Sequence, residues 1–139
     1  MPQDPDFALV RGALDSRLES RGFKFINRGR AAGSGGEFAE AHYARGSRRL
    51  ELWWRFDLLA VRYVDEDAVL DHSLYLSLLG ARASKRFPCS GGLATQVEAL
   101  ASDLDAHCAG FLDPASDEVR RLAADHARDP GRFRGLRGL

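Results

Sequence analysis

The stretch RRLELWWRFDLLAVRYV, Arg48 to Val64, decides how this chain is built. Read with a period of two, Leu50, Leu52, Trp54 and Phe56 fall on one side. Arg49, Glu51, Trp53, Arg55 and Asp57 fall on the other. Successive side chains of a strand point to opposite faces, so the pattern is that of a strand with one face in a core and one toward water. The adjacent tryptophans are thereby separated. Trp54 joins the apolar face, where burying each large side chain contributes about 1.5–3 kcal/mol before entropy is subtracted. Trp53 shares its face with charges. Cross-strand packing under arginine stems is enough to explain it. The sharper reading is a platform ringed by Arg49, Arg55 and Arg62, suited to a planar or anionic partner.

Upstream, Phe7, Val10, Leu14 and Leu18 recur at helical spacing. Asp4 or Asp6 can cap that helix, Pro5 suits its first turn, and Gly22 stops it. FKFINRGR reads as a first strand and AAGSGG (31–36) as a loop or hairpin connection. ARGSR (44–48) reads as a turn, and a second reversal is expected near 56–58. Leu59 to Val64 then forms a further strand, closed by the acidic turn DEDA.

Downstream the period changes. DHSLYLSLLG reads as a helix capped by Asp71 or Ser73 and ended by Gly80. LATQVEALASDLDAHCAGFL reads as one amphipathic helix, with Leu93, Val97, Leu100, Leu104, Cys108 and Phe111 on its apolar face. A last helix follows Pro114, with Ser116 as N-cap. Strands followed by helices predict an α+β domain: an N-terminal helix, an antiparallel sheet of three to four strands, and C-terminal helices on one sheet face. Residues 1–128 are read as a single domain and 129–139 as a flexible basic tail.

Composition narrows the function classes. The chain has 139 residues, enough for a core without disulfide or metal staples. Twenty basic residues balance twenty acidic ones, which removes bulk attraction to nucleic acid or to an anionic membrane. The N-terminus lacks a basic stretch followed by an apolar run, and no segment approaches the roughly 20 apolar residues of a membrane span. Cys89 and Cys108 sit in unlike contexts and read as free thiols of a reducing cytoplasm.

No catalytic, metal or nucleotide motif is specific. His42, His72, His107 and His126 show no ligand spacing, so neither metal nor cofactor is expected. His72 lies at a strand-to-helix junction beside Asp71 and Ser73, where a capping cluster is the default reading. Cys89 follows Phe87-Pro88 near Lys85 and Arg86, a setting that can favour a thiolate, but no base is signalled for it. The basic loop Arg82, Lys85, Arg86 and the tail arginines Arg132, Arg134 and Arg137 are the residues a nucleic-acid-binding reading would use.

The strands EFAEAHYARGSRRLELWWRFDLLAVRY, the DHSLYLSLLG element, the Phe87-Pro88 pair and the LASDLDAHCAGFL helix resemble a group of small bacterial α+β proteins of actinobacterial type. The resemblance covers roughly residues 7–113. In size and layout such proteins are similar to immunity proteins of bacterial toxin systems. The resemblance implies a cytosolic α+β domain and supplies no catalytic residues.

The leading expectation is a non-enzymatic cytoplasmic binding protein, immunity-like, holding a protein partner on the exposed sheet face, through Trp53, Arg49, Arg55 and Arg62, or on the acidic turn, with His72 as a further candidate. The alternatives are a nucleic-acid-associated module, a small enzyme using His72 or Cys89, and a homodimer through the Leu93–Leu112 helix or the last helix.

Overall fold

The computed structural model describes residues 5–33, 36–55 and 58–128. The expected cap Asp4, the core position of Phe56, the outward position of Asp57 and the basic tail with Arg132, Arg134 and Arg137 lie outside the described residues.

The helix α1 (Pro5–Glu19) forms where the i, i+3, i+7 pattern requires it. Phe7, Val10, Leu14 and Leu18 are all buried. Its end shows why Gly22 is needed. The amide of Phe23 donates to the carbonyl of Leu18 and that of Gly22 to Glu19, which forces Gly22 to φ +88°. The chain then enters a five-stranded meander: β1 (Lys24–Gly33), β2 (Gly36–Arg45), β3 (Arg48–Arg55), β4 (Leu58–Asp65) and β5 (Ala68–Asp71), each antiparallel to the next.

Five strands replace the expected three to four. The extra one is β5, only AVLD, which follows the two-residue turn Glu66-Asp67. Four residues carry too little periodicity to be read as a strand. Pairing with β4, through Tyr63–Leu70 and Asp65–Ala68, supplies the ladder that the local pattern does not announce.

The remaining helices are α2 (His72–Leu78), α3 (Leu93–His107), α4 (Ala109–Leu112) and α5 (Glu118–Arg128). The single helix expected over Leu93–Leu112 is interrupted at Cys108, whose φ/ψ of −103°/24° leaves the helical region. Gly110, in α4, makes room for the Glu118 carboxylate, which would collide with a Cβ there. Glu118 in turn accepts the Tyr75 hydroxyl at 2.5 Å, fixing α5 against α2.

The strand β3 has the predicted alternation. Arg48, Leu50, Leu52 and Trp54 are buried, and Arg49, Glu51, Trp53 and Arg55 are half-buried. Phe7 of α1 meets Trp54 with ring centroids 4.9 Å apart, Gln96 of α3 accepts the Leu59 amide, and Tyr75 of α2 and Phe111 of α4 both pack edge-on to Tyr63. These contacts all use the apolar face of the sheet, so the helices and sheet form two layers with the core between them. Among the described residues no helix is long and apolar enough to cross a membrane.

Candidate functional site

The outer sheet face is assembled by register. Glu51 pairs with His42 on one side and Arg62 on the other, and Trp53 pairs with Glu40 and Ala60. Residues directly opposite in antiparallel strands stand side by side on one face. Arg62 Nη2 therefore reaches Glu51 Oε1 at 2.8 Å, and Arg49, two residues earlier on the strand of Glu51 and on the same face, reaches its Oε2 with Nε at 3.1 Å. The Arg62 guanidinium also lies over the Trp53 ring, 4.7 Å from its centroid. That cation–π contact holds Trp53 half-covered. Cross-strand packing and platform geometry are thus the same arrangement. Arginine stems flank the indole, while the helices named above occupy the other face.

His42 reports the local field. Its pKa is lowered, first by burial and then by the charges of Arg28 and Arg49, with Glu51 and Glu40 opposing. The positive groups around it outweigh the two carboxylates.

His72 is placed elsewhere. Asp71 caps α2, accepting the Leu74 amide at 2.8 Å, whereas the His72 side chain turns into the core and is 2% exposed. Its Nδ1 lies 2.7 Å from the Tyr63 hydroxyl and its Nε2 lies 2.8 Å from Asp103 Oδ2. Asp103 additionally accepts the backbone N–H groups of Arg86 and Phe87, at 2.7 and 2.8 Å. Cys108 Sγ stands 3.6 Å from the Tyr63 oxygen.

One proton arrangement satisfies the whole chain. The Tyr63 O–H donates to Nδ1 of a neutral imidazole, and Nε2–H donates to the Asp103 carboxylate. Burial depresses the His72 pKa against the opposing pull of Asp103, raises the Tyr63 phenol, and pushes the Cys108 thiol up to about 12. Each perturbation favours the neutral form. With both ring nitrogens engaged and the ring closed to solvent, this geometry ties α2, β4, α3 and the loop before α3 together.

A second polar cluster is likewise structural. Arg48 Nη1 donates to the carbonyls of Phe111 and Asp113, and Nη2 donates to the carbonyl of Ser116 and to Asp65 Oδ2. Arg120 of α5 also reaches Asp65, at 3.2 Å.

Four of the sequence-predicted residues, Arg49, Trp53, Arg55 and Arg62, therefore share one face, and His72 does not join them. Arg82, Lys85 and Arg86 lie on the loop between α2 and α3, which Asp103 holds on the helical side. Cys89 is partly buried on the same loop and unpaired. Sequence reasoning missed Tyr63 and Asp103 as partners of His72. The available signal was an acid three residues after Leu100, inside the apolar stripe of α3.

The fold and the site define a two-layer α+β domain with one sheet face lined by arginines and an indole. Comparison with protein-family models, with curated proteins and with solved structures gives no match.

Proposed function

We propose that this is a non-enzymatic binding protein of the cytoplasm, immunity-like in role, that captures an acidic protein partner on the outer face of its sheet. The observation that supports this reading is the sharing of that face by Arg49, Trp53, Arg55 and Arg62, with Trp53 held under Arg62 and only half-buried. A rigid aromatic flanked by guanidinium groups is the side-chain combination that most often dominates protein interfaces. The guanidinium groups of Arg49, Arg55 and Arg62 favour a partner surface rich in carboxylates.

The test has two stages. A partner captured by the purified protein is identified, and its binding to the wild type is then measured by calorimetry. Trp53→Ala and Arg62→Glu should each weaken that binding by about tenfold or more, equivalent to about 1.4 kcal/mol. Both variants should stay folded, with the melting temperature lowered by only about a few degrees, and affinity should fall with added salt. Undiminished binding by both variants, or affinity indifferent to salt, would overturn the reading.

A further inference from the structure

We propose that the end of the outer face where β3 pairs with β4 is a binding site for a small aromatic monocarboxylate, with Arg55 as its carboxylate anchor. A cavity of about 170 Å³ opens there, walled by Phe38, Trp53, Arg55, Leu58 and Ala60 of the outer face together with Trp54 and Leu59 between them. The register explains its composition. Arg55 stands opposite Leu58, Trp53 opposite Ala60, and Phe38 precedes Ala39, whose partner is Trp54. The outer face of three neighbouring strands thus supplies two aromatic rings, one aliphatic side chain and one guanidinium around a common space, and Trp54 and Leu59 complete its lining.

The guanidinium is the unusual component. Arg49 and Arg62 both bond Glu51. Arg55 has no ion pair among the described residues, and its Nε is buried without a hydrogen-bond partner. That Nε is closed to solvent, so the donors left for a ligand are the Nη groups, which are neither buried nor bonded among the described residues. Glu51, the acid of β3, is already shared between two arginines, and among the described residues no carboxylate bonds Arg55.

Each property of the cavity selects the ligand. A carboxylate presents two oxygens in a plane, matching the guanidinium edge better than a hydroxyl or an amide does. The walls are mainly apolar, which disfavours a phosphate with its larger hydration shell. Phe38 and Trp53 suit a flat ring. A volume near 170 Å³ compares with the cavity of about 150 Å³ that holds one benzene molecule in another protein, so one six-membered ring is the appropriate size. Leu58, 73% exposed, stands at the mouth, where a bound ring would cover it.

Carboxylate binding at Arg55 is distinct from partner capture and is measured without a partner. Phenylacetate is titrated into the isotopically labelled full chain, following the Trp53 indole N–H and the Arg55 Nε–H by NMR. Both signals should shift saturably. Phenylethanol, the neutral analogue of similar shape, should bind about tenfold more weakly or worse. Arg55→Gln should reduce phenylacetate affinity by a similar factor, while Arg86→Gln, which removes a positive charge from the loop on the helical side, should leave it unchanged. If Arg55→Gln does not fold, the phenylacetate and phenylethanol titrations of the wild type decide the question. The proposal is overturned if phenylacetate gives no saturable shift, if phenylethanol binds equally well, or if folded Arg55→Gln binds like the wild type.

Discussion

His72 Nε2 lies 2.8 Å from Asp103 Oδ2, with both side chains closed to solvent. Burial nevertheless dominates, and the imidazole pKa is lowered in the folded chain. The unfolded chain binds a proton near the ordinary histidine value of 6.5, whereas the native chain takes it up only at lower pH. The unfolded state therefore holds more protons in that window, and stability must fall as pH drops below about 6.5. His42 is lowered too and acts in the same direction. Each histidine contributes a slope of at most about 1.4 kcal/mol per pH unit. Denaturant unfolding from pH 7 to pH 5 should show the decline, reduced in His42→Gln and reduced further when His72→Gln is added. Equal slopes in all three proteins would refute it.

The alkaline side has the opposite sign. The Cys108 thiol is pushed up to about 12 from an ordinary value of 9, and the phenols of Tyr43, Tyr63 and Tyr75 are raised above 10. The unfolded chain loses these protons first, so stability falls as pH climbs through about 9 to 10. Unfolding midpoints between pH 8 and 10.5 should decline, and Cys108→Ala should flatten the first part of that decline. A midpoint independent of pH over this range would contradict the assignment of these groups as buried and neutral.

Asp103 carries more than the histidine. It accepts three donors, two of them backbone amides of the loop before α3. Asp103→Ala leaves all three without an acceptor and should cost about 3–5 kcal/mol, the range for removing one partner of a buried polar pair. Tyr63→Phe removes the bond to His72 and the weaker one to Cys108, leaves the loop amides paired, and should cost less, about 1–3 kcal/mol. Hydrogen exchange separates the two. The Arg86 and Phe87 amides should exchange much faster in Asp103→Ala and nearly as in the wild type in Tyr63→Phe. Unchanged exchange of both amides in Asp103→Ala would show that the loop is held by other contacts.

How far the sequence announced these features depends on the range of the contacts. The alternation of Leu50, Leu52 and Trp54 against Arg49, Glu51 and Trp53 is local, and it appears unaltered in β3. The α1 stripe from Phe7 to Leu18 is equally local. The strand β5 was illegible because four residues show no period, and only pairing with β4 creates it. His72 and Asp103 are 31 residues apart, so their bond has no local signature beyond an acid within an apolar stripe. Arg48 looked like one more charge beside a turn. Its burial depends on carbonyls 63 to 68 residues away, a match of donor fork to the end of α4 and the connection to α5 that no periodicity encodes.

Arg48 offers a test of geometry against charge. One guanidinium serves three carbonyls and Asp65 while only 7% exposed. An ammonium has three donors at one point and cannot span those positions. Arg48→Lys should therefore lose about as much as Arg48→Ala, about 3–5 kcal/mol, with α5 loosened first because its leading turn hangs on the Ser116 carbonyl and Asp65. Chemical denaturation followed by circular dichroism measures the loss. Recovery of most of the stability in Arg48→Lys would mean that charge, rather than the fork, holds the cluster.

Trp53 and Trp54 test the two-faced strand most directly, since they are neighbours in sequence with different surroundings. Trp54 is 2% exposed and meets Phe7 at 4.9 Å, so Trp54→Ala should cost about 3–5 kcal/mol through lost burial and an incompletely collapsed cavity. Trp53 is half-buried and contacts Arg62 over its ring. Trp53→Ala forfeits that cation–π contact and some cross-strand packing, and should cost about 1 kcal/mol. The Trp54 indole Nε1 is buried without a hydrogen-bond partner, so Trp54→Phe removes an unsatisfied donor along with part of the ring. Its cost should lie well below that of Trp54→Ala. Paired denaturation curves of the three variants give the ordering Trp54→Ala, then Trp54→Phe, then Trp53→Ala, from most to least damaging. Equal losses for Trp53→Ala and Trp54→Ala would place both indoles in the core and remove Trp53 from the outer face.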